Sequence, residues 1–86
     1  MKFEYSKHAE EQMLLRNIKR EDVEKAIKFP DQILSDENDL YVKIYQYLLK
    51  ENSQMFLLRI FVNISKSPNK IVTLYKTTKI SKYYES

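Results

Sequence analysis

The chain contains no cysteine, no glycine and no tryptophan, and it has a single histidine. Without cysteine there is neither a disulfide framework nor a thiolate zinc site, and the chain fits a reducing cytoplasm. Without glycine, phosphate-cradling loops of the Walker or dinucleotide type are excluded, because they need close backbone approach. Turns fall to Asn, Asp, Ser and Pro, as in "SDEND", "KENSQ" and "SKSPNK". No apolar run reaches the roughly 18 to 20 residues that cross a bilayer as a helix. The opening "MKFEYSKHAE" also lacks an apolar signal core. A cytoplasmic protein without a membrane segment is expected.

With 43% hydrophobic and 13% aromatic residues, the 86-residue chain can form one compact domain, residues 1–86. Its charge is unevenly distributed. Residues 1–43 carry eight Lys/Arg against ten Asp/Glu, a net −2, whereas residues 44–86 carry seven against two, a net +5. No acidic residue occurs from Asn52 to Tyr84, a window that holds Arg59, Lys66, Lys70, Lys76, Lys79 and Lys82. Such a half can bind a polyanion; lysines on exposed strand edges also keep sheets from aggregating.

Hydrophobic periodicity predicts two helices followed by a sheet. Residues 6–16 read as a helix, with Ser6 at the N-cap and Glu10 and Glu11 near its positive end. Asn17 and Ile18 break the pattern. A second helix over residues 20–29 carries Val23, Ala26 and Ile27 on one face and stops at Pro30, with the poor capping residue Lys19 before it. Leu40, Val42 and Ile44 then alternate with Tyr41, Lys43 and Tyr45, the period of a half-buried strand. "QMFLLRIFVNIS" suits a central strand covered on both faces: Phe56, Leu58, Ile60, Val62 and Ile64 form one row, and Arg59 stands between Leu57 and Phe61 on the other. "KIVTLYKTTK" alternates again, with Val72 and Leu74 on one side and Thr73 and Tyr75 on the other. The expected fold is α+β: two N-terminal helices packed on one face of a three- to four-stranded, mainly antiparallel sheet. A basic C-terminal segment, residues 76–86, follows.

On the first helix, His8, Gln12 and Arg16 recur every four residues as a polar stripe beside apolar Ala9 and Met13. A solvated histidine and an arginine at the negative end of the helix dipole also produce this pattern. The stretch "HAEEQMLLRNIKREDVEKAIKFPDQI" resembles the opening of the DUF4258 family, whose pattern runs His-Ala-x-x-Arg-Met-x-x-Arg-x-Ile, a polar turn, a Glu-Asp-Val helix and a proline stop. "IVTLYKTTKISKYY" is similar to that family's closing strand, a Thr-x-Tyr element before a basic tail. The resemblance covers residues 6–84, with Gln12 standing where the pattern has its first arginine.

This resemblance implies a small domain like the RelE and ParE toxins and other compact microbial ribonucleases. Its polar positions fall on His8, Arg16, Thr73 and Tyr75, which are the expected catalytic residues. Gln12, Arg59, Lys76, Lys79 and Lys82 are the expected RNA contacts. Cleavage by a 2′-hydroxyl needs a base, an acid and cations, with no metal and no cofactor. A neutral histidine has a suitable pKa for proton transfer, Arg16 can grip phosphate, Tyr75 can stack on a base or donate a proton, and Thr73 and Lys76 can orient the phosphate. Lys76 has the opposite strand parity from Thr73 and Tyr75. The expected function is therefore a metal-independent endoribonuclease toxin, with RNA as substrate and an antitoxin as partner. The alternative is a non-catalytic module that grips RNA or protein. A third reading is an interaction protein that pairs through a sheet edge, with Tyr41, Tyr45 and Tyr47 as an exposed aromatic face.

Overall fold

The structure, a computed structural model, describes residues 2–85. Its elements run β1 (Phe3–Tyr5), α1 (Lys7–Leu15), α2 (Arg20–Lys28), β2 (Gln32–Asp36), β3 (Asp39–Glu51), β4 (Gln54–Asn63), β5 (Asn69–Thr77) and the single helical turn α3 (Ile80–Tyr83). No helix among the described residues is long and apolar enough to cross a membrane.

The sheet corrects the expected architecture. In place of two helices on three or four mainly antiparallel strands, five strands form one mixed sheet in the order β1-β5-β4-β3-β2. β1 runs parallel to β5, pairing Phe3 with Asn69 and Tyr5 with Ile71. Three residues are too few to show a strand period, and the partner of β1 lies at the far end of the chain. β2 alternates for only five residues between Pro30 and the "DEND" turn, and it pairs with the first part of β3.

Local chemistry fixes the helix ends. The Ser6 hydroxyl accepts a hydrogen bond from the Ala9 amide at 3.0 Å and donates to the Val72 carbonyl at 2.9 Å, so one side chain both caps α1 and ties it to β5. At the other end Asn17 takes a left-handed φ of 53°, which Asn tolerates better than most residues. The Ile18 amide returns to the Met13 carbonyl and the Asn17 amide to that of Leu14, the pattern of a Schellman stop. Lys19 makes no side-chain cap for α2.

Helices α1 and α2 cover one face of the sheet. Ala9, Met13, Ile18, Val23, Ala26 and Ile27 meet Leu58, Ile60 and Val62 of β4 and Ile71 and Leu74 of β5. Each Leu or Ile fully buried here contributes about 1.5–3 kcal/mol. Tyr45 and Tyr47 pack beneath these helices, so they do not form an open aromatic face with the exposed Tyr41. Leu40, expected in a half-buried row, is 89% exposed, and Ile64 lies beyond the end of β4. The second face bears Leu57, Arg59, Ile44 and Val42, all buried, and residues 79–85 turn back across it.

Candidate functional site

Strand register builds a polar row across the second face. The two-residue turn at Asn52 and Ser53, both at positive φ, closes the β3–β4 hairpin with Glu51 opposite Gln54. Counting back along both strands sets Gln46 opposite Arg59. Gln32 of β2 is the other neighbour of Gln46, and Tyr75 of β5 is the other neighbour of Arg59. One lateral line through four strands therefore reads Gln32, Gln46, Arg59, Tyr75. The flanking line on one side is Leu34, Ile44, Phe61 and Thr73, and on the other Leu48, Leu57 and Thr77. A polar row between largely apolar rows must satisfy its hydrogen bonds internally.

It does so as a chain. Gln46 Nε2 donates to Gln32 Oε1 at 2.8 Å, Arg59 Nε donates to Gln46 Oε1 at 2.6 Å, and Arg59 Nη1 donates to the Tyr75 hydroxyl at 2.6 Å. Gln46 is fully buried and Arg59 is 9% exposed. Aromatic rings surround the guanidinium: its Cζ lies 4.3 Å from the ring centroid of Tyr83, 5.5 Å from that of Phe61 and 5.8 Å from that of Tyr75. Tyr75 in turn stacks on Phe61 and meets Tyr83 edge-on.

Among the described residues, Arg59 has no carboxylate partner. The ion pairs among the described residues are Arg20 with Glu10 and Lys76 with Glu51, and neither involves Arg59. The Arg59 Nη2 has no hydrogen-bond partner among the described residues and is not completely buried, so only a small part of the guanidinium reaches the surface. The Tyr83 hydroxyl feels this field. Hydrogen bonding by the Tyr75 hydroxyl, then the charge of Lys82 and finally that of Arg59 lower its pKa from the ordinary tyrosine value. Arginine, two phenols and an exposed lysine thus converge on one face, with donors for an anion and hydroxyls able to exchange protons.

The structure divides the residues singled out from sequence. Thr73, Tyr75 and Arg59 lie on this second face, and Lys79 and Lys82 flank it on the returning segment. His8, Gln12 and Arg16 lie on α1, across the sheet. His8 is exposed and makes no hydrogen bond among the described residues, while Arg16 Nε donates to Gln12 Oε1 at 2.9 Å. Lys76 also points to the helical side, where its ammonium meets Glu51 at 2.7 Å and the Asn17 carbonyl at 3.5 Å. Sequence reasoning missed Gln32, Gln46, Phe61 and Tyr83. Reading "ENSQ" as a two-residue hairpin turn would have paired Gln46 with Arg59.

A concavity of about 750 Å³ lies between β1, α2 and Pro68, away from the Arg59 face, with Phe3, Tyr5, Ile27 and Ile71 in its lining and Lys2, Glu4, Glu24 and Lys28 around them. Arg20 stacks on Tyr5 at 4.1 Å, and burial raises the pKa of that phenol. Its charges alternate in sign and leave no surplus cation, which favours the Arg59 face for anion chemistry. Among the described residues, no three acidic or histidine side chains gather into a metal-binding group.

No curated protein and no solved structure matches the chain. Gln32, Gln46, Arg59 and Tyr75 fall inside the span that matches a known family, and Tyr83 falls outside it. That family is described as "Domain of unknown function (DUF4258)"; the match takes in residues 5–76, most of the chain, and the protein belongs to it.

Proposed function

We propose that the protein is a metal-independent endoribonuclease whose reaction centre is the Arg59 face of the sheet. The observation that carries this reading is the guanidinium of Arg59, held by Gln46 and Tyr75 and paired with no carboxylate among the described residues. A phosphodiester entering there meets a fixed cation in a site of low dielectric, where a preorganised donor contributes about 3–4 kcal/mol to the transition state. Lys79 and Lys82 draw in the RNA backbone, and the exposed edges of the aromatic cluster offer stacking for a base.

The reaction divides between the two phenols. Tyr83, whose pKa its neighbours lower, is the base: its ionised form takes the proton of the ribose 2′-hydroxyl. The 2′-oxygen then bonds to phosphorus while the bond from phosphorus to the 5′-oxygen breaks. Tyr75 gives its proton to that departing oxygen. The products are a 2′,3′-cyclic phosphate and a 5′-hydroxyl, and Arg59 neutralises the charge that grows on the phosphoryl oxygens.

Kinship with the RelE and ParE toxins belongs to this proposal and rests on the motifs of α1 and β5. So do a cytoplasmic site of action and an antitoxin, whose natural chemistry is an acidic segment laid over the basic face. A second reading, a non-catalytic module that grips RNA or protein with the same surface, is favoured by the position of His8. The chain's only imidazole stands across the sheet from Tyr75 and can serve no reaction there.

Incubation of the purified chain with a fluorescent single-stranded RNA in EDTA, beside its 2′-deoxy counterpart, tests both readings. Fragments ending in 2′,3′-cyclic phosphate from the RNA alone support the enzyme. Binding of both strands without cleavage supports the binding module, and the absence of both binding and cleavage with both strands rejects a nucleic-acid role.

A further inference from the structure

Residues 79–85 cover Arg59 and are held by polar contacts and by the Tyr83 ring, with none of their residues completely buried. The Tyr83 ring lies over the guanidinium, while α3 buries none of its residues completely. Three side-chain bonds pin the backbone of this segment to the sheet. Gln46 Nε2 donates to the Tyr83 carbonyl at 3.2 Å, the Glu85 amide donates to Gln32 Oε1 at 3.1 Å, and Gln32 Nε2 donates to the Glu85 carbonyl. Gln32 thus mimics a strand neighbour, offering one donor and one acceptor to a single residue. The Lys79 amide bonds to Thr77 Oγ1 at 3.1 Å and fixes the near end.

A segment with a few, mostly exposed hydrogen bonds and no completely buried residue belongs to the less stable part of a fold and opens locally before the core does. Its opening has a direct electrostatic consequence. The buried guanidinium loses the Tyr83 ring and gains access to phosphate, while its bonds to Gln46 and Tyr75 keep it oriented.

We propose that residues 79–85 form a strap that gates Arg59: Gln32 holds the strap closed, and RNA phosphate reaches the guanidinium when the strap lifts. This inference rests on the Arg59 face being the RNA site. Apparent affinity then scales with the fraction of molecules whose strap is open. Closure after entry returns Tyr83 to the phosphodiester, so the strap that limits access also completes the reaction centre.

Gln32→Ala removes both bonds to Glu85 without touching Arg59, Tyr75 or Tyr83. Native-state trypsin cleavage after Lys82 reports strap opening, and fluorescence anisotropy with a short fluorescein-labelled 2′-O-methyl oligouridylate reports binding without turnover. Both quantities are expected to rise together in Gln32→Ala, each by about fivefold. Gln32→Glu, which keeps the acceptor and loses the donor, is expected to move both in the same direction and serves if the alanine variant folds poorly by circular dichroism.

Faster cleavage with unchanged oligonucleotide affinity overturns the gate and leaves the RNA site standing. Unchanged cleavage in both folded variants shows that Gln32 does not hold the strap and also overturns the gate. Absence of oligonucleotide binding by wild type and variants alike overturns the RNA site, and the gate with it.

Discussion

Arg59 and Gln46 sit directly opposite each other on β4 and β3, joined by a hydrogen bond of 2.6 Å from Nε to Oε1. Both are buried, and among the described residues no ion pair offsets the arginine charge. Gln46 uses every polar atom it has: Oε1 accepts from Arg59, and Nε2 serves Gln32 and the Tyr83 carbonyl. The pair therefore orients the proposed phosphate-binding cation and anchors the segment that covers it.

Replacing Gln46 with leucine keeps the volume and strands Arg59 Nε without an acceptor. Loss of about 2 kcal/mol of unfolding free energy is expected, because a charged donor left unpaired in a dry position incurs its full desolvation penalty. Urea denaturation of wild type and Gln46→Leu measures it, and a change below a few tenths of a kcal/mol contradicts the network described.

Tyr83 and Tyr5 are expected to depart in opposite directions from the ordinary tyrosine titration. The pKa of Tyr83 is lowered, chiefly by hydrogen bonding to the Tyr75 hydroxyl, and that of Tyr5 is raised, chiefly by burial. Ionised Tyr83 therefore favours the folded state. Its contribution is present above the ordinary tyrosine pKa and is lost as pH falls through the lowered folded value. Tyr5 has the opposite sign: its contribution is intact below the ordinary value and disappears as pH rises through the raised one. Ultraviolet difference titration of Tyr83→Phe should lose a phenol that ionises below the ordinary tyrosine value, and that of Tyr5→Phe one that ionises above it. The reverse order refutes the assigned environments.

The β3–β4 turn can be improved. Asn52 and Ser53 both hold left-handed backbone, with φ of 49° and 68°, in a chain that contains no glycine. Serine has a Cβ that disfavours this region, so Ser53→Gly is expected to stabilise the fold by about 0.5–1 kcal/mol, after allowing for the greater freedom of unfolded glycine. A rise in the urea midpoint at constant slope supports the assignment, and a fall contradicts it.

Much of the helical layer was legible in the sequence. Ser6 announced a cap, Asn17 and Ile18 a stop, and the rows of Ala9 with Met13 and of Val23, Ala26 and Ile27 announced the faces that now meet β4 and β5. β1 and β2 were not legible, because three and five residues carry too little periodicity and a parallel pairing across the chain leaves no local mark. The site was half legible. Arg59 stood out as a lone charge between Leu57 and Phe61, and Tyr75 emerged from the family motif, but the grouping with His8 and Arg16 ignored which face each strand position takes. Once Leu74 is assigned to the core under α1, alternation sends Tyr75 to the opposite side. Tyr83 was hidden because its place depends on amide side chains of Gln32 and Gln46 gripping a backbone, an interaction with no sequence period.

The most direct test of the account compares Arg59→Lys with His8→Ala, using single-turnover RNA cleavage by chains whose folding has been checked. Lysine retains the charge but cannot reproduce the two-sided grip on Gln46 and Tyr75. Cleavage is expected to fall about 100-fold or more in Arg59→Lys and to stay within about twofold of wild type in His8→Ala, where the change is on an exposed side chain remote from the reaction. Loss of cleavage in His8→Ala with normal activity in Arg59→Lys would move the reaction to α1 and contradict the site proposed on the opposite face.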